Sequence, residues 1–216
     1  MGFGLLSKTI AWLQQLDGRM LWRVDPDPIT GNGAKDVYLT FDDGPLPELT
    51  PFVLDTLKGF GVKATFFCIG QNIANNPAIF ERVKAEGHAI GNHTWDHPSG
   101  WRTSPKQYYR TVLKCQPYTQ TDLFRPPYGR FTNRQINALQ KRFKLVMWDV
   151  LAGDFDHSLS GDDCVKGVLE RTRPGSILVF HDNLISETNM RYAMPRVVEQ
   201  LLVSGYRFVT LPTRPM

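Results

Sequence analysis

Two short segments carry side chains suited to holding a divalent metal ion. Asp42 and Asp43 follow an apolar run and precede a Gly-Pro turn, and His93 and His97 follow a second apolar run. Two imidazoles and one carboxylate suit a borderline metal such as zinc, with a fourth position left open for water. Adjacent side chains leaving a strand point to opposite sides, so one Asp can bind the ion while the other acts as a base. The four-residue spacing of the histidines predicts that both rings face one side of a helical turn.

Three later segments add polar groups after apolar runs. Arg125 precedes a double-proline turn and can hold a carboxylate through a bidentate pair. Asp149 and Asp154 follow another run, and His181 ends a buried-looking one. Each segment also has a structural alternative: a surface turn for Arg125, a helix cap or solvated acid for the aspartates, and a core or rim histidine for His181. The Asp-Asp-Gly sequence alone is likewise only a good turn.

The elements that must position these groups alternate along the chain from residue 36 onward. Short β-branched or aromatic runs alternate with amphipathic segments of helical length, which is typical of β/α units around a parallel sheet. The predicted strands are 37–41, 64–69, 88–91, 123–125, 145–149, 176–181 and 207–211. The predicted helices are 48–59, 77–86, 104–116, 132–142, 161–172 and 192–204. The polar groups follow strands one, three, four, five and six, the end at which β/α barrels carry their active sites, so we expect them to converge.

The five segments, in this order, resemble the motifs of the polysaccharide deacetylase family, carbohydrate esterase family four. They read TFDDGP, HTWDH, RPPYG, WDVLAGDF and VFHD, and the resemblance spans about residues 36 to 211. It implies an α/β fold, a distorted (β/α) barrel with about seven parallel strands. It also implies metal-dependent removal of N-acetyl groups from an amino-sugar polymer such as peptidoglycan or a chitin-like glycan.

The resemblance assigns the metal-side roles position by position. Asp42 is the expected catalytic base, and Asp43, His93 and His97 are the expected ligands of one divalent ion, which lowers the pKa of a water. Zinc is the first choice, with cobalt, nickel or manganese as alternatives. Arg125 is expected to orient Asp42.

The remaining roles concern the leaving group and the substrate. Tyr128 is expected to offer its backbone N–H to the oxyanion, His181 to act as general acid, and Asp154 to hold and tune His181. Substrate contacts are expected from three residues, Pro127, Phe155 and Val179. Phe155 stands where the family commonly has Trp and Val179 where it commonly has Leu, so the acetyl pocket is expected to differ in shape.

Composition indicates one ordinary globular domain. With 42% apolar and 21% charged residues, we expect a catalytic domain over 36–216 and an N-terminal leader, 1–35, that begins as a short amphipathic helix and packs on it. The net charge of +4 comes from Lys and Arg that are scattered and do not form a run, which favours solubilising charge over nucleic-acid binding. Three widely spaced cysteines argue against a disulfide framework, and no apolar run is long enough to span a membrane. A monomer is the expected state.

Two other functions and the compartment stay open at this level. The same metal site serves hydrolysis of a small linear or cyclic amide, and the same barrel serves as a catalytically dead sugar-binding module. Few insertions between strands favour an open groove, and the complete set of base, ligands and acid disfavours a dead module. The lack of a clear signal peptide favours the cytoplasm, whereas a polymer substrate favours the cell envelope or secretion.

Overall fold

The computed structural model describes residues 18–26 and 35–213, so the predicted N-terminal helix lies outside the described residues. Nine strands form one sheet in this part of the chain: β1 Met20–Leu21, β2 Asp36–Asp42, β3 Thr65–Cys68, β4 Ala89–Asn92, β5 Leu123–Phe124, β6 Lys144–Val146, β7 Val150–Leu151, β8 Ile177–His181 and β9 Arg207–Phe208. The α-helices of the same part are α1 Leu49–Phe60, α2 Gly70–Asn75, α3 Pro77–Ala85, α4 Pro105–Thr119, α5 Asn133–Leu139, α6 Gly161–Arg171 and α7 Glu187–Val203.

The sheet is parallel throughout its ladders and curls into a partial barrel. Its order is β1-β6-β5-β4-β3-β2-β8-β7, with β9 beside β2. The segment that contains β1 connects β6 with the residues just before β8. It pairs with β6 through Met20 and Leu21, and beyond β1 Arg23 bridges Ser176 just before β8. The predicted distorted (β/α) barrel is therefore confirmed.

Residues 18–26 and 35–213 contain nine strands instead of the predicted seven or so, for local reasons. The predicted strand 145–149 ends early, as β6 at Val146, and the separate strand β7 begins at Val150. Asp149 between them accepts hydrogen bonds from the Ser176 hydroxyl and from the Ile177 N–H. β1 is only two residues long and shows no readable periodicity. Helix α2, with the sequence GQNIAN, contains mostly weak helix formers and was not predicted.

Alternation along the strands sorts the side chains between two cores. In β2, Tyr38 belongs to a cluster inside the barrel, with Phe67 and Ile177 from the two neighbouring strands. Val37, Leu39 and Phe41 belong to a larger cluster shared with the surrounding helices. Because side chains alternate with period two, the even-numbered residues of β2 place Asp42 on the inner face, at the carboxyl end of the strand.

Helix boundaries follow the expected capping chemistry. Thr132 accepts a hydrogen bond from the Gln135 N–H, and the Gln135 side chain accepts one from the Thr132 N–H, so α5 begins with a reciprocal capping box. Pro77 opens α3 as predicted.

All three cysteines are buried and free. Among the described residues, no helix is both long enough and apolar enough to cross a bilayer.

Replacing Asp149 with Ala is expected to lower the free energy of unfolding by about 1–3 kcal/mol. The carboxylate satisfies the Ile177 N–H at 2.8 Å and the Ser176 hydroxyl at 2.9 Å, and its removal leaves buried donors unpaired. Urea denaturation measures the change. The exposed Glu199→Ala variant serves as control and is expected to stay within about 0.5 kcal/mol of the unmodified chain.

Candidate active site

Asp43, His93 and His97 meet at the carboxyl end of the barrel. Asp43 Oδ1 lies 3.1 Å from His97 Nε2 and 3.6 Å from His93 Nε2, and one ligand atom of each residue lies within 4.8 Å of the other two. Asp43 Oδ1 is buried and has no hydrogen-bond partner among the described residues. A buried carboxylate oxygen facing two imidazole nitrogens fits one small divalent cation.

The loop that carries the two histidines is not helical, so the predicted helical turn is wrong. Thr94 and His97 have φ values of 68° and 55°, in the left-handed region. Asn92 Oδ1 accepts a hydrogen bond from the Thr94 N–H at 2.9 Å, and Thr94 Oγ1 accepts one from the His97 N–H at 3.0 Å. These side-chain bonds fold the loop so that the ring centroids of His93 and His97 lie 5.0 Å apart.

The protonation of the three residues suits metal binding. Burial lowers the pKa of His93 to about 4, so the ring is neutral near pH 7. His93 Nδ1 lies 2.8 Å from the Arg125 carbonyl oxygen, which fixes the proton on Nδ1 and leaves Nε2 free toward Asp43. Burial opposes ionisation of Asp43, but the adjacent imidazoles outweigh it and hold its pKa well below the usual range.

Two asparagines that the sequence did not indicate hold Asp43 in place. Asn183 Nδ2 donates to Asp43 Oδ2 at 2.6 Å, and Asn72 Nδ2, from α2, donates to the Asp43 carbonyl oxygen at 2.7 Å. Asp43 itself has a φ of 87°, which an Asp adopts only when the surroundings require it. The hydrogen bond to Oδ2 leaves Oδ1 directed at the two histidines.

Asp182 fixes the turn that follows Asp43. Its Oδ1 accepts the Gly44 N–H at 2.9 Å, and its Oδ2 accepts the Thr50 hydroxyl. Burial raises the pKa of Asp182 to about 7, although these two hydrogen bonds favour the carboxylate. A Cβ on Gly44 would lie 2.0 Å from Asp182 Oδ2, so only glycine allows this approach.

Asp42 and Arg125 form a buried ion pair inside the barrel mouth. Arg125 Nη1 lies 2.6 Å from Asp42 Oδ1, and both side chains are almost completely buried. The same nitrogen donates to Thr40 Oγ1 at 2.8 Å, and Nη2 donates to the Met147 carbonyl oxygen at 3.0 Å. The guanidinium lies over the Phe67 ring at 4.1 Å. The ion pair joins one nitrogen to one oxygen, so the predicted bidentate pair does not form. The second terminal nitrogen of the guanidinium, Nη2, donates to the Met147 carbonyl oxygen instead.

His181 and Asp154 form a second buried pair at the end of β8. Asp154 Oδ1 lies 2.9 Å from His181 Nδ1, and Asp154 Oδ2 accepts the His181 N–H at 2.7 Å. Burial alone would lower the pKa of His181, but Asp154 overcomes it and raises the pKa to about 9. The imidazole is therefore a cation near neutral pH, with Nδ1 occupied by Asp154.

The expected substrate-contacting residues lie at different depths. The exposed Tyr128 ring packs edge-on against His97, with centroids 4.6 Å apart, and its backbone φ is 59°. Phe155 lies edge-on to His181 at 5.4 Å and is 39% exposed. Pro127 is buried, and Val179 is buried in β8 opposite Thr40 of β2.

A family model described as polysaccharide deacetylase matches residues 30–146. The chain belongs to the polysaccharide deacetylase family. Chitooligosaccharide deacetylase from a Bradyrhizobium species is 39% identical over 159 residues, which cover 70% of this chain and 72% of that protein. Peptidoglycan-N-acetylglucosamine deacetylase PgdA from Listeria monocytogenes is 38% identical over 183 residues. These residues cover 82% of this chain but only 38% of that longer protein.

The structural likeness extends over nearly the whole chain. The crystal structure of a peptidoglycan N-acetylglucosamine deacetylase in complex with 4-naphthalen-1-yl-N-oxidanyl-benzamide has a TM-score of 0.83 and 32% sequence identity to this chain. The match covers 94% of each chain. The family model stops at residue 146, but the structural match continues into the stretch that follows. In this chain that stretch contains Asp154 and His181.

Replacing His93 or His97 with Ala is expected to weaken zinc binding by at least about 10-fold to 100-fold. Each substitution removes one of three donors that converge within 4.8 Å. Titration calorimetry on the metal-free protein measures the affinity. His157→Ala removes an exposed histidine and is the matched control, with unchanged affinity expected. Equal zinc affinity in all three variants would contradict the site.

Proposed function

We propose that this chain removes N-acetyl groups from an N-acetylated amino-sugar polymer, with one divalent ion, zinc in the first instance. The arrangement of Asp42 beside the Asp43, His93 and His97 cluster, facing a protonated His181, carries the proposal. Family membership and the names of the relatives support it. When bound, such an ion lowers the pKa of a water and polarises a carbonyl.

Asp42 has the surroundings of a general base. Arg125 contacts only its Oδ1, so Oδ2 is left to accept a proton from the attacking water. The ion pair holds the carboxylate in one orientation at the end of β2. Because Arg125 also accepts the Nδ1 proton of His93 on its carbonyl oxygen, it fixes base and ligand relative to each other.

The oxyanion that forms during attack needs a fixed donor. We assign this role to the backbone N–H of Tyr128, where the left-handed φ of 59° turns the peptide at the edge of the site. The Tyr128 ring against His97 places this peptide beside the histidine cluster. Such preorganised donors typically lower a barrier by about 3–4 kcal/mol.

His181 supplies the proton that the leaving amine requires. An amine departs poorly unless it is protonated as the C–N bond breaks, so the acid must carry a proton near neutral pH. Asp154 provides for this by raising the pKa of His181 to about 9. Asp154 also accepts from Nδ1, which leaves Nε2 as the nitrogen that can donate to the leaving amine.

An open rim favours a polymer over a small amide as the substrate. Tyr128 is 59% exposed and Trp101 66% exposed, and both belong to the loops at the carboxyl ends of the strands.

An acetate-release screen with zinc, cobalt, nickel or manganese tests the proposal against its alternatives. It uses N-acetylglucosamine oligomers, peptidoglycan and small linear and cyclic amides. Turnover of the small amides alone would reassign the substrate class, and metal binding without any turnover would indicate a sugar-binding module.

The Asp42→Asn variant is expected to bind zinc as tightly as the unmodified chain but to lose about 10²-fold to 10⁴-fold in kcat. Asn keeps the shape and still accepts the Arg125 hydrogen bond, but it cannot take a proton. Calorimetry and acetate release measure the two properties. A near-normal kcat would refute the assignment of Asp42 as the base.

The Asp154→Asn variant is expected to move the alkaline limb of the pH profile of kcat/KM to lower pH. Asp154 raises the pKa of His181, so its neutralisation lets the acid lose its proton at a lower pH. The neighbouring exposed residue gives the control variant Asp156→Asn, in which the limb is expected to stay in place. An unmoved limb in the Asp154 variant would argue against His181 as the acid.

A further inference from the structure

The basic residues are concentrated in one stretch of the chain. Residues 97–148 contain ten Lys or Arg and a single acid, Asp122, whereas the rest of the chain has 15 basic and 20 acidic residues. The scattered distribution expected from the overall charge is therefore wrong. Eight of the ten are exposed: Arg102, Lys106, Arg110, Lys114, Arg130, Arg134, Lys141 and Arg142.

These eight cations, which we call the basic face, lie on neighbouring elements of the fold. Lys106, Arg110 and Lys114 recur every four residues along α4, opposite a buried stripe of that helix. Helix α5 packs beside α4 and carries Arg134, and the chain just after α5 carries Lys141 and Arg142.

The cations of the basic face lack acidic partners. Among the described residues none of the eight forms an ion pair, whereas Arg82, Arg191 and Arg207 elsewhere each contact a carboxylate. Unpaired like charges on adjacent helix turns repel one another and do not stabilise the fold. An extended set of this kind is suited to an anionic partner.

A chain of ring contacts joins the basic face to the candidate active site. Tyr128 packs against His97, the Arg130 guanidinium lies 5.7 Å from the Tyr128 ring centroid, and it lies 5.1 Å from that of Trp101. Trp101 Nε1 donates to the Phe131 carbonyl oxygen at 3.1 Å, so the ring is held although it is 66% exposed. Through these rings, Arg130 of the basic face is joined to the histidine cluster.

The loop that carries Trp101 is fixed to the basic face by its backbone. Gln135 Nε2, at the start of α5, donates to the carbonyl oxygens of Gly100 and Thr103 at 3.0 and 3.1 Å. The Gly100 N–H donates to the Arg130 carbonyl oxygen at 3.1 Å. A preformed platform loses little conformational entropy when it binds a ligand.

We propose that the substrate is an acidic glycan strand, whose carboxylates the basic face binds while an N-acetyl group lies at the histidine cluster. Trp101 and Tyr128 stack on its sugar rings. This rests on the deacetylase function proposed above and adds a preference for glycans that carry carboxylates over neutral ones. A neutral oligomer engages the aromatic rings alone.

The test compares acetate release from carboxylate-bearing peptidoglycan strands and from neutral N-acetylglucosamine oligomers of matched length. The variant Lys106→Gln, Arg110→Gln removes charge from α4 and leaves in place Lys114, whose Nζ lies 4.0 Å from the centroid of the Trp95 ring in the histidine loop. We expect its KM for the acidic strand to rise about 10-fold at low salt, with kcat unchanged and no change on the neutral oligomer. With the acidic strand as substrate, added salt is expected to raise the KM of the unmodified chain toward that of the variant. With the neutral oligomer, added salt is expected to leave KM unchanged.

A matched control neutralises two exposed lysines away from this surface, in the variant Lys58→Gln, Lys63→Gln. Its KM is expected to stay unchanged. Equal KM values for the α4 variant and this control on the acidic strand would overturn the proposal. So would charge-dependent binding to anionic lipid vesicles without any effect on KM, which would assign the face to a membrane surface.

The outcomes also separate this proposal from the underlying function. Turnover of both glycans without charge dependence sinks the acidic-strand preference and leaves the deacetylase function intact. Absence of turnover on every N-acetylated glycan sinks the function itself. Trp101→Ala provides an independent check, because loss of stacking is expected to raise KM for both glycans.

Discussion

The buried ion pair between Arg125 and Asp42 is the constraint on which the site depends. An arginine inside a barrel is costly to desolvate, and here Thr40, the Met147 carbonyl and the Phe67 ring surround its charge. Loss of one partner of such a pair typically costs about 3–5 kcal/mol, because the other charge is left buried. The same residue accepts the Nδ1 proton of His93 on its backbone. Asp42, the proposed base, and His93, a proposed metal ligand, are therefore both positioned by one residue just after β5.

The turn after β2 shows how unfavourable local geometry is maintained by its surroundings. Asp43 has a positive φ, which costs on the order of 1–3 kcal/mol for a residue other than glycine. Asn72 and Asn183 bond its carbonyl and carboxylate, and Asp182 bonds the next N–H. The cost is thus offset by groups from α2 and from the end of β8. Together these hydrogen bonds leave Oδ1 of Asp43 directed at the two histidines.

The sequence predicted the convergence of the polar groups because parallel strands bring their carboxyl ends to one rim. Neither the periodicity nor the motifs predicted the conformation of the histidine loop, because hydrogen bonds from Asn92 and Thr94 decide it and spacing does not. The roles of Asn72 and Asn183 were not predicted, because a single Asn in a weak helix or a loop belongs to no recognisable sequence pattern. The basic face was not predicted, because a net charge summed over the chain does not show where the cations lie. The deficit of acids in residues 97–148 is the sequence signal that would have indicated it.

The strand Met20–Leu21 affects how a shortened form of the protein would behave. It precedes residue 30, where the match to the family model starts, yet it supplies hydrogen-bond partners to β6. A shortened protein that began at residue 30 would expose the backbone donors and acceptors of Lys144–Val146 as an open sheet edge. Open edges of this kind template intermolecular pairing, so such a fragment would be prone to aggregate during expression.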